Sequence, residues 1–230
     1  MEMLFPKIQF GLKVGGGSVI AVHCIQAALQ AAAGNMALFA DVRNAFNETH
    51  RKAIARALAD KPETRALWHL VCAAYGDVPS PLLVRNRSGL CAVIDSQRGV
   101  RQGDVLASFL FALVMQPVYE SALEAGGGRV TGVAVLDDFT VVWPSPDVAA
   151  VFQEFSRGCQ AVGLSLALDK CSAMWPGEQP SLEDRDLITA LGGAGTSQRS
   201  TATVGVAVER WLFFAEAKHT VTLYYGTTGA

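Results

Sequence analysis

The run Val133-Ala134-Val135-Leu136-Asp137-Asp138-Phe139-Thr140-Val141-Val142 is apolar and β-branched apart from two adjacent carboxylates at its centre. Val and Thr favour extended backbone and Asp favours turns. The run therefore predicts two strands, Val130 to Leu136 and Phe139 to Trp143, joined in a tight hairpin at Asp137-Asp138. Ionised carboxylates in such surroundings are costly unless water or a cation compensates them. The pair is either an ordinary solvated turn or a metal site, and its partners elsewhere in the chain decide which.

One partner is Asp41. The short apolar run Met36 to Ala40 reads as a buried strand ending on it, and Val42-Arg43-Asn44-Ala45-Phe46 follows. An Asp at a strand end is common in itself. Set beside Asp137, it supplies hard oxygen donors suited to two Mg²⁺ ions about 3.5–4 Å apart, with Mn²⁺ as the alternative, an arrangement that serves phosphoryl transfer. A second partner is Gln97 to Phe111. There Arg98, Gly99, Arg101, Gln102 and Gly103 precede Asp104, which is placed to cap a helix carrying Leu106, Phe109, Leu110, Leu113 and Val118 at helical spacing. A basic, glycine-containing loop opening onto a helix offers backbone N–H groups and guanidinium forks to a phosphate-bearing ligand.

The remaining pattern sets the fold class. Ser18 is placed to cap a helix to about Ala33 with Ile20, Cys24 and Ala28 on one face, and Asn47 to cap a helix through Leu58. Pro62 opens another with Leu67, Leu70 and Val71 inward and Gly76 beyond its end. Leu82 to Arg85 and Leu90 to Ser96 flank Asn86-Arg87-Ser88-Gly89 as a hairpin, and a further helix runs from Pro146 or Asp147 to about Ala161. Helices and strands interleave without a regular βαβ rhythm, which predicts an α+β fold with an antiparallel sheet packed on helices.

Composition narrows the function classes. The chain is 50% hydrophobic and 17% charged, a globular balance. Its longest apolar stretch, Val105 to Met115, is far short of the roughly 20 residues a membrane span needs, so no membrane partner is expected. The N-terminus lacks the order of a secretory signal. Five scattered cysteines without a C-x-x-C pair predict free thiols in a reducing, intracellular compartment, nucleus or cytoplasm, and disfavour a zinc module. A net charge of −2 predicts no nucleic-acid partner by itself, yet Arg85, Arg87, Arg98 and Arg101 face only Asp95 and Asp104 in one window, either a solvated loop or a phosphate-binding segment.

These blocks, in this order, resemble the palm of reverse transcriptases, most closely those of non-LTR, LINE-like retrotransposons. Asp41 to Phe46 resembles the D-x-x-x-A-F motif, Gly99 to Phe111 the G-x-x-Q-G-D-P-L-S-P-x-L-F block, and Leu136-Asp137-Asp138 the x-D-D of the Y-x-D-D box. Gly163 to Lys170 is similar to G-L-x-L-N-x-x-K, Val204 to Val208 more weakly to the L-G-V-x-V that follows, and Phe10-Gly11-Leu12 through Gly15-Gly16 and His23 to the segment before the first motif. Four ordered motifs at compatible spacing are far more specific than a lone D-D pair.

The resemblance implies RNA-directed DNA polymerisation with an RNA template, a DNA primer and dNTPs as partners. Asp41 and Asp137 would bind both metals with Asp138 beside them as the third acid. Phe46 would lie against the deoxyribose and reject a 2′-OH. Gln102 and Gly103 would meet the incoming nucleotide or template base, Arg101 a phosphate or the template, and Lys170 would protonate the leaving pyrophosphate. The departures are Val135 for the aromatic of the box, Val105 for Pro after Q-G-D, Ser108-Phe109 for S-P, and Ala167 for Asn. The organisation implied is residues 1–35 as the linker and helix before the palm, 36–175 as the palm, and 176–230 as a loop and diverged tail or the start of a thumb. With 40 residues before Asp41, fingers and thumb are expected to be largely missing. Two further readings stand beside the polymerase: a catalytically silent palm serving as a nucleic-acid-binding or interaction module, and an unrelated Mg²⁺ phosphohydrolase, disfavoured because no nucleophile or water-activating motif accompanies the acids. The oligomeric state has no signature in the sequence.

Overall fold

The computed structural model describes residues 4–5, 8–12, 15–32, 35–76, 80–144 and 148–174. The elements are α1 (Gly17–Gln30), β1 (Asn35–Ala40), α2 (Ala45–Glu48), α3 (Arg51–Ala59), a 3₁₀ turn (Pro62–Leu67), α4 (Trp68–Tyr75), β2 (Ser80–Asn86), β3 (Gly89–Ser96), α5 (Ala107–Ala125), β4 (Thr131–Val135), β5 (Asp138–Pro144), α6 (Val148–Ala161) and β6 (Ser172–Met174). The four-stranded sheet has the order β4-β5-β1-β6 with every neighbour antiparallel, and β2-β3 form a separate hairpin. The fold is α+β, as the interleaved pattern predicts.

Strand β1 is apolar without alternation because both faces of the sheet are covered. Met36, Leu38 and Ala40 join Phe139 and Val141 on the face packed by α5 and α6. On the other face Ala37, Val133 and Val142 meet Ala21, Ile25 and Leu29 of α1. Between sheet and helices, Tyr119 lies 4.8 Å from the Phe139 ring, which lies 4.7 Å from that of Phe155. All three are essentially buried, each such ring stabilising the fold by about 1.5–3 kcal/mol through removal from water. Residues 8–10 run along the outer edge of β4. The Phe10 N–H donates to Ala134 O and the Ala134 N–H to Ile8 O, both at 2.8 Å, so this edge is not left bare.

Several sequence expectations need correction. Asn47 caps no long helix: α2 stops at Glu48 and α3 begins at Arg51. The carbonyls of Phe46 and Thr49, which a continuous helix would use, instead accept the N–H groups of Val100 and Gly99. Asp104 lies ahead of α5 rather than at its cap. Its Oδ1 accepts the Leu106 N–H at 2.8 Å in a preceding turn, and Leu106 holds the cap position. Gly16, not Ser18, precedes α1, whose inward stripe is Ala21, Ile25 and Leu29, leaving Ile20 at 40% exposure. Leu70 is 57% exposed because α4 turns Val71 and Tyr75 inward instead. The β4–β5 hairpin turns one residue earlier than expected: Val135 pairs with Asp138, so Leu136 and Asp137 form the loop. The β2–β3 hairpin is present with Arg87-Ser88 at its tip, and the side chains of Leu83 to Asp95 are exposed on both faces. The Pro/Ser-rich segment after residue 175 and Val204 to Val208 lie outside the described residues. No helix among the described residues is long and apolar enough to cross a membrane.

Candidate active site

Asp41 directly follows Ala40, which pairs with Phe139, the neighbour of Asp138. The antiparallel register therefore brings Asp41 and the Asp137-Asp138 turn to one end of the same sheet. Beyond β1 the chain keeps pairing: the Ala167 N–H donates to Asp41 O at 2.9 Å and the Arg43 N–H to Ser165 O at 2.8 Å. This short ladder carries Leu164 to Lys170 past the acids. Burial raises the carboxyl pKa values of Asp41 and Asp137, and the Lys170 charge offsets part of that rise at both.

Electrostatics at the cluster oppose ionisation. Burial pushes the Asp41 carboxyl up, with the Lys170 charge pulling it partly back and Asp169 raising it further. Asp137 is raised first by burial and then by Asp41. Asp138 is pushed up to about 6, again by burial first, then by Asp137 and Asp41. Its side chain remains accessible at the rim, so solvent screens part of this cost.

Such mutual repulsion among oxygen donors suits a divalent cation. Among the described residues no three His, Cys, Asp or Glu side chains are arranged to hold a metal by themselves. The donor set fits Mg²⁺ or Mn²⁺ that takes its remaining ligands from water and substrate phosphate. The cation-free protein offers a test. Asp138 has a native pKa raised above the ordinary 3.8, so the native state binds its proton more tightly than the unfolded chain. Ionisation is therefore a cost that grows as pH rises from about 4 through 6. Asp138→Asn is expected to stabilise the metal-free chain by about 1 kcal/mol at pH 7.5, after allowance for screening, and by nothing at pH 4. Thermal melts across that range check this, and a pH-independent difference would refute it.

The loop before α5 is braced from three sides. Gly99, at φ +64, donates its N–H to Thr49 O at 2.9 Å, and the Val100 N–H donates to Phe46 O at 2.7 Å. Arg51 donates to Ser96 Oγ at 2.8 Å and to Gly99 O at 3.3 Å. Tyr75 donates its hydroxyl to Asp104 Oδ2 at 2.5 Å and accepts the Arg101 N–H at 3.2 Å. Burial first, then this bond to Asp104, raises the phenol pKa, and the same bond lowers that of Asp104. The guanidinium of Arg101 lies 5.4 Å from the Tyr75 ring centre and donates to Ala74 O at 3.0 Å, while its buried Nε has no hydrogen-bond partner. With Arg101 held inward, Gln102 and Gly103 form the exposed tip, and open space surrounds Gly103.

Phe46 is half-buried, stacked on Phe111 at 4.6 Å with 19° between the rings. Asp41, Asp137, Asp138 and Lys170 are thus brought together, and Phe46 is joined to the Gln102 loop through Val100. Sequence reasoning missed Tyr75, Arg51, Gln9 and Tyr119, which support these elements. A polar Gln9 between Ile8 and Phe10 was the one signal available.

The sequence profile of the reverse transcriptase (RNA-dependent DNA polymerase) family matches residues 2–208. The chain is 32% identical over 173 residues to the retrotransposable element SLACS 132 kDa protein of Trypanosoma brucei gambiense, an alignment covering 75% of this chain and 14% of that protein. The chain thus spans about one seventh of that relative. Its fold is similar to telomerase from Candida albicans, solved with a fragment of telomeric RNA, with a TM-score of 0.54 at 11% identity, covering 70% of this chain and 30% of that one. It is likewise similar to apo telomerase from Candida tropicalis, with a TM-score of 0.55 at 12% identity, covering 71% and 33%. Motif order, the placement of the acids and the profile agree: the chain belongs to the reverse transcriptase (RNA-dependent DNA polymerase) family.

Proposed function

We propose that residues 36–175 are the palm of an RNA-directed DNA polymerase that adds dNTPs to a primer 3′-OH by two-metal nucleotidyl transfer, residues 1–35 leading into it. The observation that carries this reading is the convergence of Asp41 with Asp137 and Asp138 at one end of a single sheet. The RNA bound by one telomerase of similar fold supports an RNA template. Asp41 and Asp137, with Asp138 adjacent, would hold two divalent cations, which would supply Lewis acidity toward the 3′-hydroxyl and the α-phosphate.

The chain's own residues do the rest. The Phe46 ring, fixed by Phe111, occupies the space a 2′-OH would need. Gln102 and Gly103 meet the nucleotide or template base, and Arg101, engaged by Tyr75 and Ala74, holds that tip in place. The 3′-hydroxyl gives its proton to solvent water, the O3′–phosphorus bond forms as the bond to pyrophosphate breaks, and Lys170 gives its own proton to the leaving oxygen. Cys24, Cys72, Cys91, Cys159 and Cys171 are all unpaired, in keeping with work in a reducing compartment.

The test is primer extension by the purified chain on an RNA template with dNTPs and either Mg²⁺ or Mn²⁺. Template-directed extension that stops on chelation is expected. A folded chain that extends nothing with either ion is a silent palm, and the proposal falls.

A further inference from the structure

We infer that Gln9, acting with Tyr119, is a positioning residue for the catalytic turn, a role that rests on the polymerase reading above: its side chain clamps Leu136 and so sets where Asp137 and Asp138 point. Leu136 adopts φ +59, a left-handed conformation that branched aliphatic side chains avoid. Among the described non-glycine residues only Asn44 shares a positive φ, and Asn44 has a polar side chain for local bonding, which reaches Glu48. Leu136 has no such means. Its backbone is held by residues far away in sequence.

The Leu136 N–H donates to Gln9 Oε1 at 2.9 Å, and its carbonyl accepts the Tyr119 hydroxyl at 2.5 Å, with Gln9 Nε2 at 3.5 Å from the same oxygen. The Gly11 N–H also donates to Gln9 Oε1, at 2.8 Å, which fixes the orientation of the amide. Gln9 is 4% exposed and Tyr119 fully buried, so both bonds are made from the protein interior to the half-buried Leu136 backbone, which reduces competition from water. A Cβ on Gly11 would sit 2.8 Å from Leu136 Cγ and 2.9 Å from Leu136 N, so the segment passes where only glycine fits. Tyr119 also packs its ring on Phe139. One side chain thereby grips the residue before Asp137 and the residue after Asp138.

Gln9 is not needed merely to attach its segment, because main-chain bonds between Ile8, Phe10 and Ala134 already do that. Its amide is spent on the turn. A clamp that holds a strained residue makes a prediction that simple anchoring does not: relief of the strain should replace the clamp.

The test uses the full chain with Gln9→Leu, Tyr119→Phe, and Gln9→Leu combined with Leu136→Gly. Misplacement of catalytic groups by about 1 Å costs on the order of 100-fold, so Gln9→Leu is expected to lower kcat about 10- to 100-fold while KM for dNTP stays within about twofold. Tyr119→Phe should act in the same direction. Adding Leu136→Gly, which accepts positive φ without side-chain cost, should recover about tenfold or more of the lost kcat. Amide exchange provides a readout independent of chemistry: the Leu136 N–H should exchange about 100-fold faster in Gln9→Leu, with Val141 unchanged. Absence of extension by wild type removes the polymerase reading, and exchange then decides the clamp alone. The clamp is overturned if Leu136 exchange is unchanged in Gln9→Leu, or if Leu136→Gly recovers nothing in an active chain.

Discussion

Asp137→Asn is expected to reduce primer extension at least about 1,000-fold while leaving the metal-free chain as stable as wild type or more so. The loss corresponds to about 4 kcal/mol of transition-state stabilisation, the scale of a missing metal ligand at a phosphoryl-transfer site. The second half of the expectation follows from the electrostatics. Burial, reinforced by Asp41, raises the Asp137 carboxyl above its ordinary value, so the charged form is unfavourable in the metal-free protein. A neutral amide of the same shape removes that cost. Single-turnover extension beside a thermal melt reads both quantities. Activity within tenfold of wild type would show that Asp137 is not a ligand. A large drop in melting temperature would show that the acid is structural.

Gly99→Ala is expected to cost about 3 kcal/mol or more in stability, lowering the melting temperature by roughly 6–12 °C. Gly99 has φ +64, and an added Cβ would lie 2.4 Å from Asn47 C, Asn47 O and Phe46 O. Those are backbone atoms and cannot rotate away. Relief requires the two strands of loop to separate, breaking the bonds from Gly99 to Thr49 and from Val100 to Phe46. Phe46 would shift with them, so discrimination between deoxyribo- and ribonucleotides should weaken in any protein that still folds. Gly103→Ala is the control. Its φ of +87 imposes the same kind of backbone strain, but nothing lies within 4 Å of the new methyl group, and the expected cost is only about 1 kcal/mol. Urea denaturation of both variants separates close approach from strain, and equal losses would refute the close approach.

What was legible in the sequence followed from local chemistry. Met36 to Ala40 is apolar at every position because it is the strand covered on both faces. Asp41 and Asp137-Asp138 stand out because charge seldom interrupts such runs. The α+β class and both hairpins follow from turn residues and β-branched runs. What was not legible depended on atoms far apart in the chain. A helix from Asn47 to Leu58 is locally reasonable, but it is broken because the Phe46 and Thr49 carbonyls are committed to a loop some fifty residues on. The hairpin register slipped by one because Leu136 takes a conformation its own side chain disfavours, sustained by Gln9, 127 residues away. Tyr75 carries no local signal in the sequence, and only the fold reveals that its hydroxyl joins Arg101 to Asp104.

The strand order carries a consequence for biosynthesis. β1 is interior to the sheet, yet its neighbours β5 and β6 are encoded about a hundred residues or more downstream. At ribosomal speeds of about 5–20 residues per second, β1 waits roughly 5–20 s with both edges unpaired, while the local β2–β3 hairpin has already closed. The acids therefore meet late, when β5 inserts between β4 and β1, and the sheet that carries them is complete only once β6 joins the other edge of β1.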